Sequence, residues 1–104
     1  MQNYEALFVP GLLQTAEYAR AIIQGVEPTV SEAELDNLVA SRMARQAVLS
    51  RARAPQFFAV VDEGTLRRPV GEPGVMHRQL HHLLGAAEQP HVTLRVVPLA
   101  AGAC

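Results

Sequence analysis

His77 and His81 stand four residues apart, the spacing that sets two imidazoles on one face of a helix as metal ligands. A site needs a third ligand. Glu88 shares their stripe but lies two turns beyond His81, ~10 Å along the axis at about 1.5 Å per residue. His82 points elsewhere and His91 follows a break, so the histidines read as polar flanks of an apolar stripe and no metal is expected. The stretch Leu80-His81-His82-Leu83-Leu84 has the LxxLL pattern of groove-docking helices, which any amphipathic helix also produces by its own periodicity. Cys104 is terminal, away from any pocket that would depress a thiol pKa. Ser31 reads as a helix cap, and Ser41 and Ser50 lie mid-helix without a His or Asp pattern beside them. The glycines are scattered and form no phosphate loop. Asp62 and Glu63, adjacent on a strand, would point to opposite faces and could not share one bond as acid and base. No enzyme chemistry emerges and no cofactor is implied.

One constellation resists a purely apolar reading. On a helical wheel Leu35, Leu38, Val39 and Leu49 form one face, and Arg42 and Gln46 fall in its middle. A guanidinium on a buried stripe must be paired or must face a cavity. The expected partner is Glu63, at the end of the adjoining strand, in a buried structural ion pair. The alternative is a pocket or partner surface lined by Arg42, Gln46 and neighbouring polar groups.

The elements that must position these residues follow from pattern and punctuation. Tyr4–Val9 reads as extended, closed by the Pro10-Gly11 turn. A first helix is expected over about 15–24, with Thr15 as N-cap and Gly25 as its stop. A second starts at Ser31, with Glu34 completing a capping box, and runs unbroken to Pro55. Its acidic start and arginine-rich end suit the helix dipole. Residues 56–61 and 92–97 read as strands, the first apolar at both parities and therefore covered on both faces. Asp62-Glu63-Gly64-Thr65 reads as a polar patch. Between the strands a third helix spans about 73–88, with Met76, Leu80, Leu83, Leu84 and Ala87 as its stripe. Strand, crossover helix and strand make a right-handed parallel βαβ unit. The fold class is α+β: three main helices packed on a small sheet containing that unit, in a single domain over residues 1–104.

The chain has 104 residues, a formal net charge of −1 and 9 basic residues, every one an arginine. Length allows one domain with a modest core. The charge balance argues against nucleic acid or an anionic membrane as main partner, because phosphate binding needs a concentrated positive field. Arginine favours planar, bidentate partners, so specific carboxylates are expected beside these side chains. No apolar stretch is long enough to span a membrane, and no leader of signal-peptide type follows Met1. One cysteine excludes an internal disulfide framework. A cytoplasmic domain is expected.

Several stretches together resemble a known family. Val9-Pro10-Gly11-Leu12-Leu13-Gln14-Thr15, followed by Tyr18-Ala19-Arg20, is similar to its most recognisable motif, and Arg42 with Arg45-Gln46 to its helix motif. Glu63, Leu66-Arg67, Val70-Gly71, Met76, Gln79-Leu80 and Val96-Val97-Pro98 follow in the family's order. The family is the domain of unknown function C-terminal to the Xre-type helix-turn-helix in actinobacterial, antitoxin-like transcriptional regulators. The resemblance implies a cytoplasmic effector or oligomerisation module that self-associates beside a small partner protein. DNA would be reached only through a separate N-terminal domain. It further implies that this chain is the N-terminal portion of the family's domain, with strand-forming sequence continuing past Gly102 in the complete form. Such a portion would leave the 92–97 strand with an open edge. The candidate ligand- or partner-binding residues are Arg42, Gln46, Glu63, Arg67 and Gln79; none is assigned a catalytic or metal-binding role. A small-molecule sensor with a pocket near Arg42, Gln46 and Glu63 is the alternative function.

Overall fold

Two hydroxyls start the first two helices. In the computed structural model, which describes residues 2–5, 8–51 and 53–98, Thr15 Oγ1 accepts the Tyr18 N–H at 3.1 Å and caps α1 (Ala16–Val26). Ser31 Oγ accepts the Glu34 N–H at 3.1 Å and caps α2 (Glu32–Arg45). Each cap satisfies one of the amide groups that a helix start leaves without a partner. Gly25 does not stop α1: the helix runs through it, and the Glu27 N–H still reaches the Ile23 carbonyl. Glycine inside a helix costs only about 1 kcal/mol, too little to end one by itself.

The second helix is shorter than its pattern predicts. It ends at Arg45, and Gln46–Ser50 continues as a 3-10 turn instead of an α-helix reaching Pro55. The Gln46 side chain is anchored to the backbone at Gly11 and Gln14. Its own N–H bonds the carbonyls of Ala44 and Met43, so the turn tightens there. Arg51 then takes extended backbone and closes the segment before any proline is reached.

The sheet has three parallel strands in the order β1-β2-β3, from β1 (Gln2–Glu5), β2 (Phe57–Asp62) and β3 (Val92–Val97). Asn3 lies opposite Ala59 and Phe57 opposite Val92. The fold is α+β, and β2 and β3 with their crossover form the parallel βαβ unit that the spacing predicts. Among the described residues of the extended N-terminal segment, Gln2–Glu5 is a strand and Phe8 is in a bend; residues 6 and 7 lie outside the described part. The crossover itself begins with a helical turn, α3 (Glu63–Arg67), where the sequence reads as a polar patch. Asp62 ends the strand and caps this turn through Gly64, so Asp62 and Glu63 are not strand neighbours at all. The main crossover helix is α4 (Pro73–Ala87), which starts on a proline whose fixed φ and missing N–H suit a first helical position.

Burial alternates along β2. Phe57, Ala59 and Val61 are buried, whereas Phe58, Val60 and Asp62 are half-buried. The two faces are therefore unequal, contrary to the expectation of full cover on both. On the less covered face the Arg95 guanidinium lies 6.0 Å from the centre of the Phe58 ring. The buried face joins Val9, Leu13, Tyr18, Val70, Val75, Leu83 and Val92 in one core. The helix α4 faces this core with Val75, Gln79 and Leu83, while Leu80 and Leu84 are exposed. The predicted stripe is thus rotated, because a fully buried glutamine holds the middle of the inward face.

Candidate functional site

Residues Val9–Thr15 cross the molecule between β1 and α1 with only one 3-10 turn, Gly11–Leu13, to satisfy their backbone. A buried carbonyl or amide without a partner costs roughly 1–3 kcal/mol, so this segment needs outside bonds. Side chains from three helices supply them. Tyr18 Oη, on α1, accepts the Val9 N–H at 3.1 Å. Gln46 Nε2, just past α2, donates to the carbonyls of Gly11 (2.9 Å) and Gln14 (2.6 Å). Gln79, on α4, donates through Nε2 to the Leu13 carbonyl and accepts the Thr15 N–H through Oε1, both at 2.8 Å. Within the segment Gln14 Nε2 donates to the Val9 carbonyl at 2.8 Å.

Arg42 completes the clamp. Its Nη1 donates to Gln14 Oε1 at 3.1 Å, and its Cδ lies 3.9 Å from where a side chain on Gly11 would begin. The expected ion pair with Glu63 does not form. Glu63 accepts from Arg67 Nε at 2.7 Å, its neighbour one turn on in α3. The Asp62 cap winds that turn into a helix and so brings Arg67, not Arg42, to Glu63. Arg42 is also half-buried, not largely buried as expected. Of the five candidate residues, Arg42, Gln46 and Gln79 converge on one segment, whereas Glu63 and Arg67 form a separate pair on α3 with Arg67 mostly exposed.

Electrostatics at the clamp are mostly neutral. Burial pushes the Tyr18 phenol above its ordinary value, against the opposing effect of the Val9 N–H it accepts. On the surface, carboxylates meet arginines at short range: Arg20 with Glu32 and Asp36, and Arg78 with Glu17. The hydrogen bond from Arg78 holds the Glu17 carboxyl below its usual range. The rings of His77 and His81 are 5.0 Å apart and exposed, and no group of three potential metal ligands occurs among the described residues. A cleft of about 920 Å³ opens between the Gln46–Ser50 turn and α4, with Gln46, His81, His82 and His91 in its lining. His91 Nε2 is buried without a hydrogen-bond partner among the described residues.

Sequence reasoning by pattern alone missed Gln14 and Tyr18 as parts of this clamp. Gln79, like Arg42 and Gln46, is a polar residue on an apolar helix face: it lies four positions from an apolar residue on each side, Val75 and Leu83. Applied to every helix, that test finds Gln79 without its partners.

Among known proteins, the family described as Domain of unknown function (DUF5753) matches residues 1–104. No curated protein and no solved structure matches the chain. The polar motif residues thus hold together a fold for which the family gives no assigned activity. The chain belongs to the DUF5753 family.

Proposed function

We propose that this domain is a non-catalytic effector and assembly module of a helix-turn-helix transcription regulator of the Xre type, working in the cytoplasm beside a separate DNA-reading domain. The carrying observation is apolar surface set opposite the core. Leu80 and Leu84 lie one turn apart on the outer side of α4, and Leu84 is 67% exposed. Val96 on β3 is exposed as well. Apolar side chains in water gain from burial against a partner, which favours self-association or a small partner protein.

Two further features support a role in assembly. The strand β3 pairs with β2 on one side, and among the described residues no strand pairs with its other side. An open edge of this kind is a template for another chain. Of the polar candidates, Arg42, Gln46 and Gln79 are engaged in holding the Val9–Thr15 segment, and Arg67 is paired with Glu63. DNA contact belongs to the other domain in this reading, since the net charge is −1 and Arg20, Arg67 and Arg78 already meet carboxylates. No described helix is long and apolar enough to cross a membrane.

Multi-angle light scattering across a concentration series tests the proposal. A mass of at least twice 11.3 kDa at micromolar concentration is expected. A constant monomer mass up to the solubility limit would overturn the assembly role.

A further inference from the structure

We propose that the groove between α1 and α2 binds a small amphiphilic carboxylate, with its apolar body against Ile22, Ile23, Val26 and Leu38 and its acid group on Arg42. This goes beyond the assembly role and does not depend on it. The groove holds about 260 Å³ and is lined by those four residues, Glu27 and Arg42. Ile22 and Arg42 also line a second hollow of about 430 Å³ beside Pro10 and Gln14, with Arg45 on its wall. The second hollow has the size of a small-molecule pocket, and the groove is slightly smaller.

Charge decides which kind of molecule. Arg20, Arg67 and Arg78 each meet a carboxylate at 2.6–2.8 Å. Arg42 differs. Its one described bond is to the neutral Gln14 amide at 3.1 Å, and among the described residues no carboxylate lies within 4.0 Å of it. A half-buried guanidinium keeps five N–H donors in a fixed fork that matches a carboxylate, and one neutral acceptor leaves most of them available. Arg45 adds a second positive charge at the same end. Glu27 lies on the groove beside the apolar residues and repels an acid group there, which orients the ligand with its carboxylate towards Arg42. The apolar wall lacks cover: Val26 is 66% and Leu38 41% exposed. A ligand with one acid group and an aliphatic body answers both needs at once.

Octanoate, 1-octanol and octylamine, titrated calorimetrically into the full chain, form the test. Amide shifts are followed by NMR, at a protein concentration where light scattering gives a single mass. A failure to assemble and a failure to bind then read separately. Octanoate is expected to bind at least about tenfold more tightly than 1-octanol, and octylamine more weakly still. Its shifts should fall on residues 22–27 and 38–45. Arg42→Met should weaken octanoate by at least about tenfold and leave 1-octanol unchanged. Because Arg42 also holds Gln14, the exposed wall variant Leu38→Glu serves as a second probe that leaves the clamp untouched; it should abolish octanoate binding. Equal affinity for octanoate and 1-octanol, undiminished binding by Leu38→Glu, or shifts confined to the cleft beside His91 would each overturn the proposal.

Discussion

Gln79 on α4 and Leu13, 66 positions earlier, share a 2.8 Å hydrogen bond, and the same amide closes a second one from the Thr15 N–H. Both ends of one fully buried side chain therefore read the backbone of one segment, much as a neighbouring strand would. Gln79→Leu keeps an apolar side chain in the core but leaves the Leu13 carbonyl and the Thr15 N–H without partners. Each lost partner costs ~1–3 kcal/mol, so a total loss of roughly 2–6 kcal/mol is expected in urea denaturation. A change below about 0.5 kcal/mol, typical of surface sites, would show that the clamp does not carry the segment.

Tyr18 should make stability pH-dependent at the alkaline end. Burial raises its folded-state value above that of the unfolded chain. The folded state therefore keeps the phenolic proton that the unfolded state gives up. This contribution is complete below the unfolded value of about 10 and is lost as pH rises through the folded value. Tyr18→Phe should flatten that alkaline decline in thermal melts. It should also cost ~1–3 kcal/mol at neutral pH by stranding the buried Val9 N–H.

At the acid end the informative pair is Glu17 and Arg78. The hydrogen bond from Arg78 lowers the Glu17 value. Its contribution is present above the unfolded carboxyl value and lost as pH falls through the folded one. The pair is exposed, so the effect on stability is small and the titration itself is the better measure. Carboxyl NMR on Glu17 should show its midpoint move upward in Arg78→Met. An unmoved midpoint would remove Arg78 as the cause.

Leu84→Glu separates assembly from folding. The side chain is two-thirds exposed and lies outside the core, so the melting midpoint should stay close to that of the parent chain, with a change within about 0.5 kcal/mol. The mass measured by light scattering should fall. If assembly is unchanged, the outer side of α4 is not the contact.

Local signals were the legible ones. Thr15 and Ser31 announce their helices because a cap is settled within three residues, and Pro73 announces α4 by the same proximity. The parallel pairing of β2 with β3 follows from the helix between them. What could not be read depends on bonds over long separations. The end of α2 is decided by Gln46 reaching back to Gly11 and Gln14, and the inward face of α4 by Gln79 reaching back to Leu13. A helical wheel marks Arg42 as out of place but is blind to its partner: Glu63 was the nearest charged candidate in the pattern, and a neutral glutamine in the Val9–Thr15 segment holds it instead.

The clamp has a consequence for the order in which the chain acquires structure. Five of its bonds span 28, 32, 35, 64 and 66 positions, so the Val9–Thr15 segment cannot be completed from its own neighbourhood. On a ribosome, where the N-terminus emerges first, α1 and α2 can form while this segment still lacks Gln79. Non-local closure of this sort is slow, and it leaves the intermediate open to proteases and chaperones until the last helix arrives. The earliest synthesised part of the motif thus waits for α4, which carries a partner made 64 to 66 positions later, before its backbone bonds are complete.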